Sequence, residues 1–442
     1  MRWDGTTYGK GNVWDRKIVL YDEGVMVMAT IYNGIPWYDQ NGDTVNAHGA
    51  CILKENEKYY LFGEYKTNGK NKYIGFSCYS SENLTNWYFE GLALPPQKDG
   101  LLGGERIGER VKVVKSKKTG KYVMLMHTDS LDYNDPCIGV AISDTIAGEY
   151  SFVGPLLYNG EPVKKWDMGT FVDDDGETYL LTHEGYIYRL SEDCTEAVEL
   201  MSSEFAPGGE SPAMFKKDGV YYIMFSNKTS WERNDNYYFT AESLYGPWEK
   251  RGLFCPVGSL THNSQCSFVF WEDKTKSPIY IGDRWSFPRQ GSSATLVILP
   301  IKVANGEISI PEYMERWSLE TEEQESFETV NPINFKSNVK GDSFEIEFSG
   351  SKVYLFGTSD NNGGYARVEI LSDKGESIHT SVIDFYSLVE SSALKYASPS
   401  LEKNDYILRI TVMGEAGEWF KKDGTRFGSD DVYVSVSAYA VK

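Results

Sequence analysis

Long apolar runs are missing from this chain of 442 residues. The longest, Val25–Ala29 and Leu296–Ile301, fall far short of the roughly 18 residues of a membrane span, and Pro300 interrupts the second. A basic surplus is missing too: 44 Lys and Arg face 64 Asp and Glu, a formal net charge of −20. A surface this acidic repels phosphate backbones and anionic headgroups, which excludes nucleic acid and membrane as partners. The six cysteines, Cys51, Cys78, Cys137, Cys194, Cys255 and Cys266, form no CxxC pair and no Cys/His metal spacing. They are read as reduced, structural thiols. No stretch of helical period stands out. The polar N-terminal stretch MRWDGTTYGKGNVWDRK lacks the apolar core of a secretory leader. The chain as it stands is therefore expected in the cytoplasm, or outside the cell if a leader has been removed.

Aromatic residues, in contrast, are abundant: 31 Tyr, 21 Phe and 11 Trp, or 14% of the chain. Ten of the Trp fall before residue 318. Aromatic faces stack on apolar patches such as sugar rings, so an acidic, Trp-rich chain suits neutral polar ligands. Solubility over a β-rich core is the plainer reading of the same composition.

One pattern repeats: a polar turn, then a strand of aromatic and aliphatic residues ending near a polar residue. It reads KYYLFGE from 58, KYVMLMH from 121, TYLLTHE from 178, VYYIMFS from 220 and PIYIGDR from 278. A second strand precedes each turn: NAHGACILK, GERVKVVK, WDMGTFVDD, GESPAMFKK and NSQCSFVFW. Several copies carry a further strand closed by an aromatic residue. Strand, hairpin and strand repeated five times predicts a five-bladed β-propeller; a β-sandwich with accidental similarity is the alternative. In a propeller the first strand of each blade lines the axis. The residues His48, Glu109, Asp167, Glu210 and Gln265 then converge on one pocket. Gathered carboxylates over a neutral ligand point to glycoside cleavage, in which one carboxylic acid protonates the leaving oxygen. Neighbouring carboxylates raise one another's pKa and keep that acid protonated. The plainer reading is that they bond strand ends or hold an ion.

After Trp317 the composition shifts. Residues 321–335 are acidic and read as a linker, and alternation at Phe344, Ile346 and Phe348 predicts a β-sandwich over 336–442. The all-β expectation is thus a propeller over 1–320, with an N-terminal extension over 1–30, followed by that sandwich.

The motifs WDMGTFVDDDG (166–176) and GGESPAMFKKDGVYYIMFS (208–226) resemble glycoside hydrolase family 43, a family of inverting five-bladed propellers. Within it, NGIPWYDQNGDTVNAHGACIL, FGEYK, GERVKVV, YVMLMHTDSLDY, NSQCSF and GDRWSFP are similar to the exo-β-1,3-galactanase branch, which implies β-1,3-galactan as substrate. The resemblance covers about residues 30–318 and implies roles. Glu210 matches the general acid, and Asp167 the carboxylate that tunes it and contacts the sugar. Most of the family places a basic Asp in the first blade, where this chain has Ala47-His48. In the galactanase branch a carboxamide, here Gln265, stands where the base acts. It either orients the water or relays a proton as its imidic tautomer. Glu109 is expected to position substrate, with base as a lesser role. Glu64, Tyr133, Trp231 and His48 are the expected sugar contacts, and Arg284 and Trp285 are read as closing the ring. No cofactor is expected; a structural Ca²⁺ in the channel is the one ion the resemblance implies, although no oxygen-ligand loop of EF-hand type is seen.

The region 336–442 resembles accessory domains found beside glycoside hydrolases. It either binds sugar through Tyr365, Tyr386, Tyr396 and Trp419 or packs on one propeller face. An arabinofuranosidase or xylosidase, and a sugar-binding propeller without catalysis, remain as alternatives to galactose release.

Overall fold

A computed structural model describes residues 30–442. Apart from Thr30, the expected N-terminal extension lies outside the described residues. The described residues are nearly all β, and the only α-helical pieces among them are the four-residue turns Leu260–Asn263 and Gln290–Ser293. No described helix is long and apolar enough to cross a membrane.

Five sheets follow one another along the first three quarters of the chain, antiparallel except where Leu157–Tyr158 runs parallel to Glu196–Ser202 in the third. Their first strands are His48–Glu55, Arg106–Lys115, Met168–Val172, Gly209–Lys217 and Gln265–Glu272. Each first strand touches the next in chain order, and the last touches the first, so the five form a cycle. The second strands match the repeats: Lys58–Glu64, Tyr122–Ser130, Thr178–Thr182, Val220–Asn227 and Ser277–Arg284. Between successive sheets lie apolar layers. Phe62, Cys78, Val111 and Met124 share one such layer between the first two sheets, which removes large apolar faces from water.

The fifth sheet has three strands, and chain termini of this unit finish the cycle. Thr30–Tyr32 pairs antiparallel with Arg316–Ser318. Trp317 is fully buried and donates from Nε1 to the carbonyl of Ile298 at 2.9 Å. Asn33 clips the same strand, donating to Ile298 O at 2.8 Å and accepting from Ile298 N at 2.7 Å.

A second unit contains two four-stranded sheets around one core. Val353, Leu355, Val434 and Val436 come from one sheet, and Ile346, Val368, Leu408 and Ile410 from the other. Residues 331–335, assigned to the linker 321–335 by its acidity and Pro332, begin the strand Asn331–Ser337, which pairs with Val434–Val441. Ile333 and Phe335 alternate inward there and pack on the core. The two units are bonded through buried polar contacts. Tyr386 Oη donates to Glu232 Oε2 at 2.6 Å, and Ser286 Oγ to Asp384 Oδ2 at 2.7 Å. Tyr365, Tyr386, Tyr396 and Trp419 are at most 5% exposed, so they offer sugar no open platform. Tyr365 instead donates to the carbonyl of Ser286 across the junction. Rings with a polar tip suit an interface as well as a sugar site, and here the interface takes them.

Candidate active site

Four first strands present their polar residue in the same register. His48 stands opposite Glu64, Glu109 opposite His127, Glu210 opposite Ser226 and Gln265 opposite Asp283. In the third sheet Asp167 immediately precedes the first strand, and its carbonyl accepts from His183 N at 2.9 Å. Just past His48, Glu109 and Glu210 the ladder shifts register. The next residue takes a left-handed conformation each time: Gly49 (φ +56°), Arg110 (φ +55°) and Ser211 (φ +53°). Such bulges re-aim the side chains beside them. At Gly49 the reason for glycine is direct, because a Cβ would lie 2.1 Å from Glu64 Oε1.

Arg110 ties the sheets together. Nε donates to Asp167 Oδ1 at 3.0 Å, and Nη2 donates to Gln265 Oε1 at 2.8 Å. Nη1 lies 3.7 Å from Asp283 Oδ2, and the backbone N–H donates to Glu64 Oε1 at 2.8 Å. Burial opposes its charge, but Asp167, Asp283 and Glu64 outweigh burial and raise its pKa further. A guanidinium suits this place because its rigid fork serves several acceptors at once.

Asp167 is fully engaged. Its second oxygen accepts from Ser211 N at 3.0 Å and from Ser211 Oγ at 2.9 Å. Glu210 is its opposite. It stays partly exposed, and among the described residues no side chain donates to its carboxyl. Burial and then the charge of Asp167 push its pKa up to about 8, against the pull of Arg110 and Lys228. A carboxylic acid held protonated at neutral pH, with its oxygens free, can hand a proton to a leaving oxygen.

Glu109 sits in a different setting. Tyr133 Oη donates to its Oε1 at 2.9 Å, Asn71 Nδ2 donates at 2.6 Å, and Lys66 Nζ lies at 3.8 Å. Burial works to raise its pKa, but the bond with His127 and the Lys66 ammonium hold it well below the carboxylate range. His127 lies between Glu109 Oε2 at 3.4 Å and Asp129 Oδ2 at 3.2 Å. Burial opposes protonation there, but the bonds to Asp129 and Glu109 raise its pKa to about 9. A carboxylate held this low is a weak proton acceptor, which disfavours Glu109 as base.

Gln265 Oε1 accepts from Trp285 Nε1 at 2.8 Å as well as from Arg110. Its Nε2 donates to Ser226 Oγ at 2.8 Å. The reverse amide orientation would set NH₂ against two obligate donors, so the network fixes this one. The ring contact of Trp285 with Gln265 goes beyond closing the ring. Arg284 does close it, donating to the carbonyls of Gly34, His262 and Asn263.

Glu64, Asp167 and Gln265 thus gather on Arg110, Tyr133 bonds Glu109, and the charges of Asp167 and Glu109 act on Glu210. Glu64 also pairs with Lys66 Nζ. Trp231 stands at the edge, with Lys66 Nζ 5.4 Å from its ring, and Phe287 is stacked on it. His48 is 1% exposed, with its ring 6.0 Å from Trp285, and burial lowers its pKa to about 3. Sequence reading missed Arg110, His127, Lys66 and Asp283. The polar ends of the repeated second strands, at Glu64, His127 and Asp283, were the available signal.

Two donor groups bear on a metal. Glu109, His127 and Asp167 place ligand atoms within 4.8 Å of one another. The imidazole there holds a proton and Asp167 holds Arg110, whereas a metal ligand must be deprotonated and free. Among the first strands, Lys112 Nζ donates to the carbonyls of Gly49 at 2.8 Å, Val111 at 3.3 Å and Arg110 at 3.4 Å. An ammonium already uses these oxygens, so the residues present do not fit Ca²⁺.

Comparison with known proteins agrees with this geometry. The profile of glycosyl hydrolases family 43 matches residues 44–257. A structure from Bifidobacterium bifidum s17, provisionally assigned as an exo-β-1,3-galactanase, is 37% identical over 63% of this chain and 95% of that one, with a TM-score of 0.59. A family 43 β-1,3-galactosidase determined with galactodeoxynojirimycin is 26% identical over 65% of this chain and 100% of that one, with a TM-score of 0.58. The exo-β-1,3-galactanase of Phanerochaete chrysosporium, determined with galactose, shares the fold over 93% of this chain and 100% of that one, at 24% identity and a TM-score of 0.70. No curated protein sequence matches.

Proposed function

The chain belongs to family 43 of the glycosyl hydrolases, and from that premise we propose that it releases galactose from the end of β-1,3-galactan with inversion. The five sheets are the blades of a propeller that forms the catalytic unit, ending near residue 320. The accessory unit is a β-sandwich that starts with the strand Asn331–Ser337.

One observation carries the reading: Glu210 is raised to about 8 and unbonded, directly beside an Asp167 whose oxygens are all engaged. Glu210 is the general acid that protonates the glycosidic oxygen. Asp167 raises Glu210 by its charge and is itself held by Arg110 and Ser211. Gln265 orients the attacking water. Its oxygen is saturated by Arg110 and Trp285, which leaves no place for the O–H of an imidic tautomer. One N–H serves Ser226, and the other is left for water. Glu64, Glu109 and Tyr133 position the terminal sugar, and Trp231 supplies a ring face at the edge. The provisional exo-β-1,3-galactanase assignment of the Bifidobacterium structure and the β-1,3-galactosidase name of the family 43 relative support the substrate. The site works through carboxyl, carboxamide and guanidinium groups and needs no metal.

The test is incubation with β-1,3-galactan, followed by proton NMR of the first product. Galactose appearing as the α-anomer is expected. First appearance of β-galactose overturns inversion, and release of pentose from arabinoxylan in its place overturns the substrate. Glu210→Gln is expected to abolish release with an unchanged melting temperature, and retained activity overturns the acid assignment.

A further inference from the structure

The second unit sends a hairpin toward the catalytic pocket. Glu418–Phe420 pairs with Arg426–Gly428, and the chain between them forms the tip. Its root is rigid. Trp419 is buried, stacked on Phe427 at 6.0 Å and edge-on to Tyr386 at 6.1 Å. At Gly417 a Cβ would come within 2.8 Å of the Phe287 carbonyl oxygen, so the root presses on the segment whose ring stacks on Trp231.

The tip touches both sides of the pocket. Lys422 Nζ donates to Asn134 Oδ1 at 3.4 Å, next to Tyr133, which bonds Glu109. Lys421 Nζ donates to the carbonyl of Lys228 at 3.4 Å, on the loop that leads to Trp231. Lys228 is also among the cations that act on Glu210. Phe420 is 60% exposed at this tip, on the hairpin face opposite the buried Trp419. The charge of Lys422 acts on Asp132 and that of Lys421 on Asp423.

We propose that the hairpin at 418–428 is a wall of the substrate cleft and binds the sugars beyond the second one from the chain end. Phe420 stacks on a sugar face, and Lys421 and Lys422 donate to its hydroxyl oxygens. An exposed ring flanked by donors is the composition of a sugar subsite. The second unit thereby acts inside the catalytic cleft and not as a remote tether. This rests on the galactan reading above.

The test compares β-1,3-linked galactobiose with galactotetraose on wild type, Phe420→Ala and Lys421→Ala/Lys422→Ala. All three positions are at the surface, and an unchanged melting temperature checks folding. For the tetraose, kcat/KM is expected to fall about tenfold, carried by KM. For the biose it is expected to stay within about twofold of wild type. An equal effect on both substrates, or no effect on either, overturns the hairpin subsite alone. A wild type that releases no galactose from either overturns the substrate reading and this proposal with it.

Discussion

Arg110 and Gln265 are joined by a bond of 2.8 Å from Nη2 to Oε1, and the same guanidinium holds Asp167 through Nε at 3.0 Å. The group proposed to orient water and the group proposed to tune the acid are therefore both held by one side chain. Arg110→Lys keeps the charge and loses the fork. It is expected to lower kcat by roughly 10²-fold, with KM changed only a few-fold. Steady-state kinetics on galactan oligosaccharides measure the split. A variant within about threefold of wild-type kcat would show that the fork is dispensable. Arg110→Ala leaves Asp167 without its guanidinium and strands the buried Gln265 oxygen, and is expected to cost about 3–5 kcal/mol of stability.

The acid limb of catalysis follows from Glu210. Its proton is required, and its pKa is raised to about 8 by burial and by Asp167. Activity is therefore expected to hold through neutral pH and fall as pH rises through about 8. Asp167→Asn removes a negative neighbour, which lowers the pKa of Glu210. The high-pH limb of kcat should then move to lower pH, along with a loss of rate. A limb that stays in place or moves up contradicts the coupling between these two carboxyls.

Much of this was legible in the sequence, for a physical reason. The repeat carries one polar residue at a fixed place on each first strand, and cyclic packing turns equal places into one pocket. Glu109, Asp167, Glu210 and Gln265 could be named on that ground. Arg110 could not, because its reach depends on a left-handed residue at a bulge, which the alternation of GERVKVVK hides. Docking of the second unit was one of two open expectations, because Tyr386 and Trp419 have the composition of a sugar platform as well as of an interface, and the bond to Glu232 decides for interface. Residues 331–335 looked like linker because only alternate residues of their strand face the core.

His127 gives a stability prediction with a definite sign. Its folded pKa, about 9, lies above its ordinary 6.5 because Asp129 and Glu109 flank it. Its protonation thus stabilises the fold fully below the unfolded pKa, and that contribution is lost as pH rises through about 9. His127→Gln lacks it. Urea unfolding of both proteins should show a wide gap near pH 6 that narrows by about pH 9.5. A gap independent of pH would mean that the imidazole is not charged between its two carboxylates.

Lys112 decides what happens to metal. Its ammonium is fully buried and donates to three backbone carbonyls, those of Gly49, Arg110 and Val111. Burial lowers its pKa to about 8, which still leaves the group largely charged at neutral pH. A divalent ion would have to displace it and find further oxygens, and the nearby carboxylate, Asp283, is taken by Arg110 and Gly49 N. Chelator and added Ca²⁺ are therefore expected to leave both melting temperature and galactose release unchanged. Lys112→Met, similar in length but without donors, strands the carbonyls and is expected to cost about 1–3 kcal/mol. Thermal unfolding with and without Ca²⁺ measures both. A wild-type melting temperature that drops with chelator would show that the carbonyls serve a metal after all. Rescue of Lys112→Met by Ca²⁺ is a separate outcome: it would mean that the ammonium fills a place the fold can also give to a cation.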